Sequence, residues 1–193
     1  MLSGSKFSRS VSSEFKKMVS GELYRPSDPE LTEMRRQCRL TFEQYNKTSI
    51  DEPQKRKELL NKLFNSEVEA HIEPPFYCDY GSNIKLGKNV YMNFNCTILD
   101  VAPVEIGANT LFGPAVKICP ATHPTNATLR NSGVELGYPV KIGKNCWLGA
   151  NVTVCPGVTI GDNCVIGAGA VVVKDVPANS LVVGNPGRVI KKL

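Results

Sequence analysis

The sequence predicts a mainly β fold, a parallel β-helix of hexapeptide repeats with a small N-terminal α-helical segment. Three observations support this prediction. Large apolar residues recur at every sixth position, small or β-branched residues follow them four positions later, and glycine often follows the first position directly. This pattern is typical of a solenoid in which three hexapeptides form one triangular coil.

The repeat contains two series of residues. The first is apolar throughout and comprises Leu86, Met92, Ile98, Ile106, Phe112, Ile118, Ile142, Leu148, Val154, Ile160, Ile166 and Val172. The second comprises Val90, Cys96, Ala102, Thr110, Val116, Thr122, Cys146, Val152, Val158, Cys164, Ala170 and Val176. Neither a helix nor an ordinary strand buries residues at both i and i+4 with a period of six. We therefore expect the first series to stack inside the coil and the second to fill its corners, whereas a β-sandwich would alternate with period two.

Glycine and cysteine occupy particular places in this repeat. Glycine follows the first series at Gly87, Gly107, Gly113, Gly143, Gly149, Gly161 and Gly167. We expect glycine there because it adopts turn conformations that are closed to residues with a Cβ. Cysteines at corner positions (Cys96, Cys146 and Cys164) are interpreted as small hydrophobic residues that pack in the core.

Two amphipathic helices are predicted before the repeat. In the first, Ser27 and Glu30 have the spacing of a capping box, and Pro29 suits the first turn. Its apolar face would consist of Leu31, Met34, Cys38, Phe42 and Tyr45. A second cap is predicted at Asp51 and Gln54, before an apolar face of Leu59, Leu60, Leu63 and Phe64. Both helices are short, so we expect them to pack against the repeat.

The chain is therefore expected to have three parts. Residues 1–20 are Ser-rich and predict a flexible tail, and residues 21–70 form the N-terminal helical segment. Residues 71–193 form the β-helix and a C-terminal tail. The repeat is interrupted between Ile118 and Ile142, which predicts an extruded loop over residues 121–139.

The extruded loop is the first candidate for a functional site, because loops that do not serve the stacking often carry function. His123 lies at its start and is one of two histidines in the chain. Imidazole titrates near neutral pH and can take a proton from an attacking hydroxyl. His71, the other histidine, is interpreted as an ordinary residue at the edge of the first coil.

Composition excludes several other functions. The seven cysteines contain no C-x-x-C pair, so no metal site is expected, and free thiols suit a cytoplasmic protein. No apolar stretch is long enough to span a membrane. The net charge of +5 suits a polyanionic small ligand, while the absence of long basic runs argues against nucleic acid.

Several segments resemble the maltose and galactoside O-acetyltransferase family. They are Gly21–Tyr24, Asp79–Asn83, Asn93–Asn95, Leu99–Val101, Ala121–Pro124, Arg130–Gly133, Gly184–Pro186 and Arg188–Lys192. The resemblance runs from about Ser20 to Leu193. It implies a left-handed coil, acetyl-CoA as co-substrate, and a homotrimer with active sites at subunit interfaces. The acceptor would be a sugar or another small hydroxylated molecule.

The resemblance also implies roles for individual residues around the acceptor. His123 matches the catalytic general base, and Asn93 and Asp79 match positions that contact the acceptor. Asn93 is also a candidate to stabilise the oxyanion. Asp28 is the candidate for a carboxylate near the N-terminus that contacts the acceptor, although ungapped alignment would select Pro26 or Ser27. Val101 stands where galactoside enzymes have an aspartate, which favours the maltose pattern.

A further set of positions matches the cofactor contacts of the family. They are Ala150, Ala168, Val173, Lys174, Arg188 and Lys191, with Trp147 nearby as a further candidate. The small side chains of Ala150 and Ala168 would let a pantetheine arm run along the coil. The cationic residues would pair with the phosphates.

The function expected from these residues is direct acetyl transfer from acetyl-CoA to a sugar hydroxyl, without a covalent enzyme intermediate. Two alternatives remain open, a related xenobiotic acetyltransferase that modifies an antibiotic hydroxyl and a non-catalytic trimeric scaffold. A serine O-acetyltransferase would have a longer N-terminal helical domain. The γ-class carbonic anhydrases share the coil but need three histidines for zinc, and this chain has two.

Overall fold

The computed structural model describes residues 13–193. They form a left-handed parallel β-helix with helices at its N-terminal end, which confirms the predicted fold class. The helices are Ser13–Ser20 (α1), Pro29–Asn46 (α2), Pro53–Phe64 (α3) and Ala127–Asn131 (α4). Among the described residues, no helix is long and apolar enough to cross a bilayer.

Three parallel sheets form the sides of the triangular coil. Sheet 1 contains Ala70–Ile72, Val90–Met92, Leu111–Phe112, Trp147–Leu148, Val165–Ile166 and Ser180–Val183, followed by the antiparallel strand Arg188–Lys192. Sheet 2 contains Ile84–Leu86, Val104–Ile106, Val140–Ile142 and Thr159–Ile160. Sheet 3 contains Tyr77–Cys78, Thr97–Ile98, Lys117–Ile118, Thr153–Val154 and Val171–Val172.

Each coil passes from sheet 2 to sheet 1 to sheet 3, and this order defines three corners. Corner A joins sheet 1 to sheet 3, corner B joins sheet 3 to sheet 2, and corner C joins sheet 2 to sheet 1. The same residue type recurs at equivalent points because strands of successive coils pair in register, as with Leu111, Trp147 and Val165. A residue is therefore located by its coil and its corner.

The interior of the coil contains the two predicted series. Every member of the first series is buried except Leu86, which is partly buried and packs against the core. Every member of the second series is buried except Thr122, which belongs to the extruded loop. Period six thus identified the core correctly, because each side of the coil contributes one stacked residue and one corner residue.

The glycines of the repeat have a different role from the one predicted. Gly149 does not have a positive φ; instead, a Cβ there would lie 2.7 Å from the backbone nitrogen of Ala168 in the next coil. The left-handed conformation is adopted two positions later, at Asn151, whose φ is 58°. Glycine is required here because successive coils approach closely, and the turn itself is made by another residue.

Asparagine supplies this turn conformation along corner C. The residues are Asn89, Asn109, Asn145, Asn163 and Asn179, all with positive φ. Their side chains form a ladder of hydrogen bonds from each Nδ2 to the next Oδ1, of 3.0 to 3.3 Å. Asparagine tolerates the left-handed region better than most residues with a side chain. The ladder therefore satisfies the exposed amides and links successive coils.

The N-terminal segment differs from the prediction at its start. Residues 13–20, placed in the flexible tail, form helix α1, and Met18 is fully buried with Tyr24, Leu31 and Tyr80. The tail prediction is wrong for these residues because their apolar side chains have a partner surface. Its remaining part, residues 1–12, lies outside the described residues.

Both predicted helix caps are shifted by one residue. The N-cap of α2 is Asp28 and not Ser27, and the N-cap of α3 is Glu52 and not Asp51. A proline occupies the first turn in each case, which suits its fixed φ and missing donor. The predicted apolar faces are correct, since Cys38 and Tyr45 of α2 join the main core with the buried leucines of α3.

Candidate active site

The extruded loop leaves the coil at corner B. Ala121–Thr122 pairs antiparallel with Leu136–Gly137, and helix α4 lies between them. The loop is seated tightly on the coil, because a Cβ on Gly137 would lie 2.5 Å from a methyl carbon of Val101. His123 directly follows the first of these strands, and its side chain is exposed. Its imidazole is thus held beside a rigid hairpin base and remains accessible to a ligand.

Asp79 lies on the same corner, after the sheet 3 strand of the first coil. Burial raises the pKa of the Asp79 carboxyl, while the positive charges of Arg35 and Arg39 oppose this rise. The charge of Glu135, which belongs to the loop, raises the same pKa further. Corner B therefore brings a loop carboxylate, a loop histidine and Asp79 into one region.

The N-terminal segment is tied to the loop by Tyr24 and Glu135. Their backbones exchange two hydrogen bonds of 3.0 Å, and the Tyr24 hydroxyl donates to Glu135 Oε2 at 2.9 Å. Burial and the adjacent Glu135 raise the pKa of Tyr24, so the phenol remains a donor. Sequence reasoning missed this pair, because 111 residues separate the two positions and no repeat relates them.

Asn93 lies on a different corner from His123. It follows the sheet 1 strand Val90–Met92 at corner A, and its Oδ1 accepts from the Phe94 N–H at 2.7 Å. The side-chain NH₂ group is then directed to donate elsewhere. A strand of sheet 3 lies between corners A and B in each coil. The two predicted catalytic residues therefore lie on different corners of one chain.

A strip of small residues lies along corner A in the coils that follow Asn93. Ala150 and Ala168 stand in one column, as the hydrogen bond from Gly169 N to Ala150 O at 2.8 Å requires. The glycines that precede them, Gly149 and Gly167, leave this part of the corner without bulky side chains. The strip thus presents backbone groups and methyls.

Comparisons with known proteins agree with this arrangement. Residues 17–67 match the maltose acetyltransferase hexapeptide capping motif, and residues 139–174 match the hexapeptide repeat of succinyl-transferase. Nodulation protein L of Rhizobium meliloti (strain 1021) is 48% identical over 174 residues, which cover 90% of this chain and 95% of that protein. A maltose O-acetyltransferase from Clostridium difficile 630 is 48% identical with a TM-score of 0.92, covering 95% of this chain and 99% of that one. A galactoside acetyltransferase in complex with coenzyme A is 37% identical with a TM-score of 0.86, covering 94% of this chain and 92% of that one.

The chain belongs to the maltose and galactoside O-acetyltransferase family. This membership confirms the resemblance identified in the sequence. It also confirms the expected enzyme class, a sugar O-acetyltransferase with acetyl-CoA as co-substrate.

The predicted cofactor residues of this acetyltransferase fall in three places. Ala150 and Ala168 belong to the strip of small residues at corner A, and Trp147 projects outward from sheet 1 with 56% of its surface exposed. Lys174 and Arg188 line a single cleft of about 220 Å³ at the C-terminal end of the coil. Val173 is exposed beside this cleft, and Lys191 lies across from Leu181 on the last strand.

The predicted acceptor residue Asp28 has a structural task in this acetyltransferase. Its Oδ1 accepts from the backbone N–H groups of Glu30 and Leu31, at 3.0 and 3.2 Å, and thereby caps helix α2.

Val101 is buried under the loop, 5% exposed, where an aspartate would be desolvated by the same packing. In the part of the chain that the structure describes, no group of three His, Cys, Asp or Glu residues is arranged to hold a metal ion.

Proposed function

We propose that this acetyltransferase transfers the acetyl group of acetyl-CoA directly to a sugar hydroxyl, with His123 as general base. The observation that carries this proposal is the position of His123, exposed at the rigid base of the loop and on the same corner as Asp79. A general base needs an accessible nitrogen and a fixed position relative to the reacting hydroxyl.

In this mechanism His123 takes the proton of the acceptor hydroxyl as its oxygen attacks the thioester carbonyl. The carbonyl oxygen becomes an oxyanion, and Asn93 of a neighbouring subunit donates a hydrogen bond to it through Nδ2. The carbon–sulfur bond then breaks, the thiolate leaves, and the imidazolium returns the proton to the sulfur. Asp79 contacts the acceptor, and Asp28 is proposed to reach it through the carboxylate oxygen that does not cap the helix.

We propose a homotrimer in which corner A of one subunit faces the loop of the next. The separation of Asn93 and His123 within one chain supports this arrangement, because both residues must reach the same carbonyl. A column of outward-facing apolar residues on sheet 1, two of them exposed and three half-buried, supports it as well. In register, the column is Tyr91, Leu111, Trp147, Val165 and Leu181.

The equivalent column on sheet 2 has the composition of a solvated face. It contains Lys85, Glu105 and Lys141, with an ion pair of 3.7 Å between the last two. Leu111 and Trp147 are 47% and 56% exposed on sheet 1, which is unusual for contiguous large apolar residues on a free surface. The difference between the two faces favours sheet 1 as a subunit contact.

Replacing Leu111 with aspartate is expected to convert the trimer to monomers at micromolar concentration. A carboxylate at the centre of the apolar column would have to be desolvated in the assembled protein. Sedimentation velocity measures this change directly. Lys85→Asp, on the charged face, is the matched control and is expected to sediment like the unaltered protein. A Leu111→Asp protein that remains trimeric would exclude sheet 1 from the interface.

Replacing Lys174 or Arg188 with alanine is expected to raise the KM for acetyl-CoA about tenfold each. A hydrogen bond to a charged group contributes about 1.5 kcal/mol or more, and 1.4 kcal/mol corresponds to a factor of ten. Acetyl-CoA is also expected to raise the melting temperature of the unaltered protein by mass action. Lys85→Ala, remote from this cleft, serves as the control. Unchanged KM values in both variants would contradict the proposed phosphate site.

The proposed acceptors are maltose, glucose and related hexoses. The similarity to a maltose O-acetyltransferase and the buried valine at position 101 support them over galactosides. A thiol-release assay over a panel of sugars and hydroxylated antibiotics tests this proposal. Faster release with sugars is expected, and release with antibiotics alone would favour the xenobiotic alternative.

We propose a cytoplasmic location for the enzyme. All seven cysteines are free thiols, and five of them are buried in the main core. Free thiols persist in a reducing compartment. Acetyl-CoA is used as a diffusible co-substrate, which also suits that compartment.

A further inference from the structure

Asp100 is a fully buried carboxylic acid that the proposed reaction does not use. Its side chain is 0% exposed, at corner B between the first two coils and the base of the loop. Burying an ionised carboxylate is costly unless hydrogen-bond donors compensate for the lost water. Such a residue needs a reason to be present in an otherwise apolar interior.

The donors that surround Asp100 are backbone N–H groups of a single turn. Oδ1 accepts from Asp79 N and Tyr80 N, each at 2.9 Å, and Oδ2 accepts from Asn83 N at 3.3 Å. Asn83 returns a bond through its side chain, from Nδ2 to the Asp100 carbonyl oxygen at 2.7 Å. The carboxylate thus holds both ends of the turn that carries Asp79.

The same turn anchors the N-terminal segment. The Tyr80 hydroxyl accepts from Arg35 of helix α2 at 2.6 Å, and the Tyr80 ring packs with Met18 and Leu31. Gly81 within the turn has a φ of +72°, and a Cβ added to it would collide with the backbone carbonyl of Leu63. The turn therefore packs between the helices and the coil. The hydrogen bonds to Asp100 fix the position of the turn along the axis of the coil.

The residue after Asp100 contacts the catalytic loop. Val101 is buried and supports Gly137 in the strand that pairs with the His123 strand. One short segment, Asp100–Val101, therefore lies under both the turn of Asp79 and the base of the loop. A displacement of this segment would change the distance between the acceptor carboxylate and the base.

We infer that Asp100 is a positioning residue of the acceptor site, which holds the backbone of Asp79 at a fixed place relative to the His123 loop. This inference rests on the proposed function, in which Asp79 contacts the acceptor. An asparagine cannot perform the same task, because its side-chain NH₂ would face one of the three N–H donors. Burial raises the pKa of Asp100 to about 7, and the N–H donors of Asp79 and Tyr80 oppose this rise.

The test compares Asp100→Asn with a buried polar control at corner C, Thr110→Val. Thr110 is also 0% exposed; its Oγ1 donates to Gly143 O at 2.8 Å and accepts from Cys146 N at 3.1 Å. Both variants lose internal hydrogen bonds in adjacent coils, but only one of them touches the Asp79 turn. Assays are run at a temperature at which both variants are folded by circular dichroism.

For Asp100→Asn we expect the KM for the sugar acceptor to rise at least tenfold, with the KM for acetyl-CoA unchanged. The amides of Asp79 and Tyr80 are expected to exchange hydrogen at least tenfold faster than in the unaltered protein. Thr110→Val is expected to change neither the acceptor KM nor these two amides. A change in the KM for the acceptor without a change in the KM for acetyl-CoA distinguishes a positioning role from a general loss of stability, because a loss of stability would affect both KM values.

Two results would overturn the inference. Unchanged exchange at Asp79 and Tyr80 would mean that the carboxylate does not hold the turn, whatever the chain acetylates. Faster exchange with an unchanged acceptor KM would mean that the turn does not position the acceptor. If the unaltered protein acetylates no sugar, the proposed function fails, and the exchange comparison still decides whether Asp100 holds the turn.

Discussion

Replacing His123 with alanine is expected to lower kcat at least a hundredfold, while the fold and the oligomeric state remain unchanged. General base catalysis contributes about 10²–10⁴-fold, and alanine has no group that can accept the proton. The side chain is exposed and its removal leaves no cavity in the coil, so the free energy of unfolding should change by less than about 0.5 kcal/mol. Steady-state kinetics and sedimentation velocity together measure this outcome.

His71→Ala is the control for this experiment. His71 is the only other histidine; it is exposed, stacks on Tyr91 at a centroid distance of 5.6 Å, and bonds to Glu73 at 2.9 Å. Its removal is expected to leave kcat within about twofold of the unaltered enzyme. Turnover that persists in His123→Ala would end the assignment of the base, and an equal loss in both variants would indicate a nonspecific effect.

Replacing Gly161 with alanine is expected to lower the free energy of unfolding by about 3 kcal/mol. A Cβ at this position would lie 2.6 Å from the nitrogen and 2.8 Å from the Cα of Ala178 in the next coil. Those atoms belong to the backbone, and the hydrogen bond from Gly161 N to Val176 O at 2.9 Å sets the spacing of the coils. The coils would have to separate locally, and the melting temperature should fall by roughly 5–10 °C.

Gly133→Ala is the contrasting substitution. Gly133 has a φ of +81°, but nothing lies within 4 Å of an added Cβ. The cost is then only that of a left-handed alanine, about 1 kcal/mol. Thermal denaturation of the two variants compares close approach with backbone conformation. A greater loss at Gly133 than at Gly161 would contradict the role of glycine as a spacer between coils.

The sequence predicted the repeat and its core well, and some local features incorrectly. The buried stack was readable because each coil repeats the same contacts at a period of six. The prediction that Gly149 supplies a turn conformation is wrong, because a glycine required by close approach of the next coil has the same sequence pattern as one required by a turn. The sequence does not predict helix α1, because its apolar residues, such as Met18, are few. They are buried only because the folded chain packs them against Tyr24 and Tyr80.

The candidate site was predictable only where it coincided with a break in the repeat or with a family motif. His123 stood at such a break, and Asn93 and Asp79 stood in motifs. Glu135 stood in no motif, and its proximity to Tyr24 depends on how the N-terminal segment folds back over the loop. The residues of the acceptor pocket are therefore harder to predict from the sequence than the residues of the coil.

The sequence by itself determined the β-helix, its buried series and the place at which the loop leaves the coil. These properties depend on contacts that repeat at a constant spacing, so the same type of residue recurs at equivalent positions of the sequence. Only the tertiary structure decided which corner each site residue occupies, that Asn93 and His123 are separated within one chain, and that Asp100 holds the turn of Asp79. Those contacts occur once each, between residues that are distant along the chain. Because they do not repeat, no periodic pattern in the sequence predicts them.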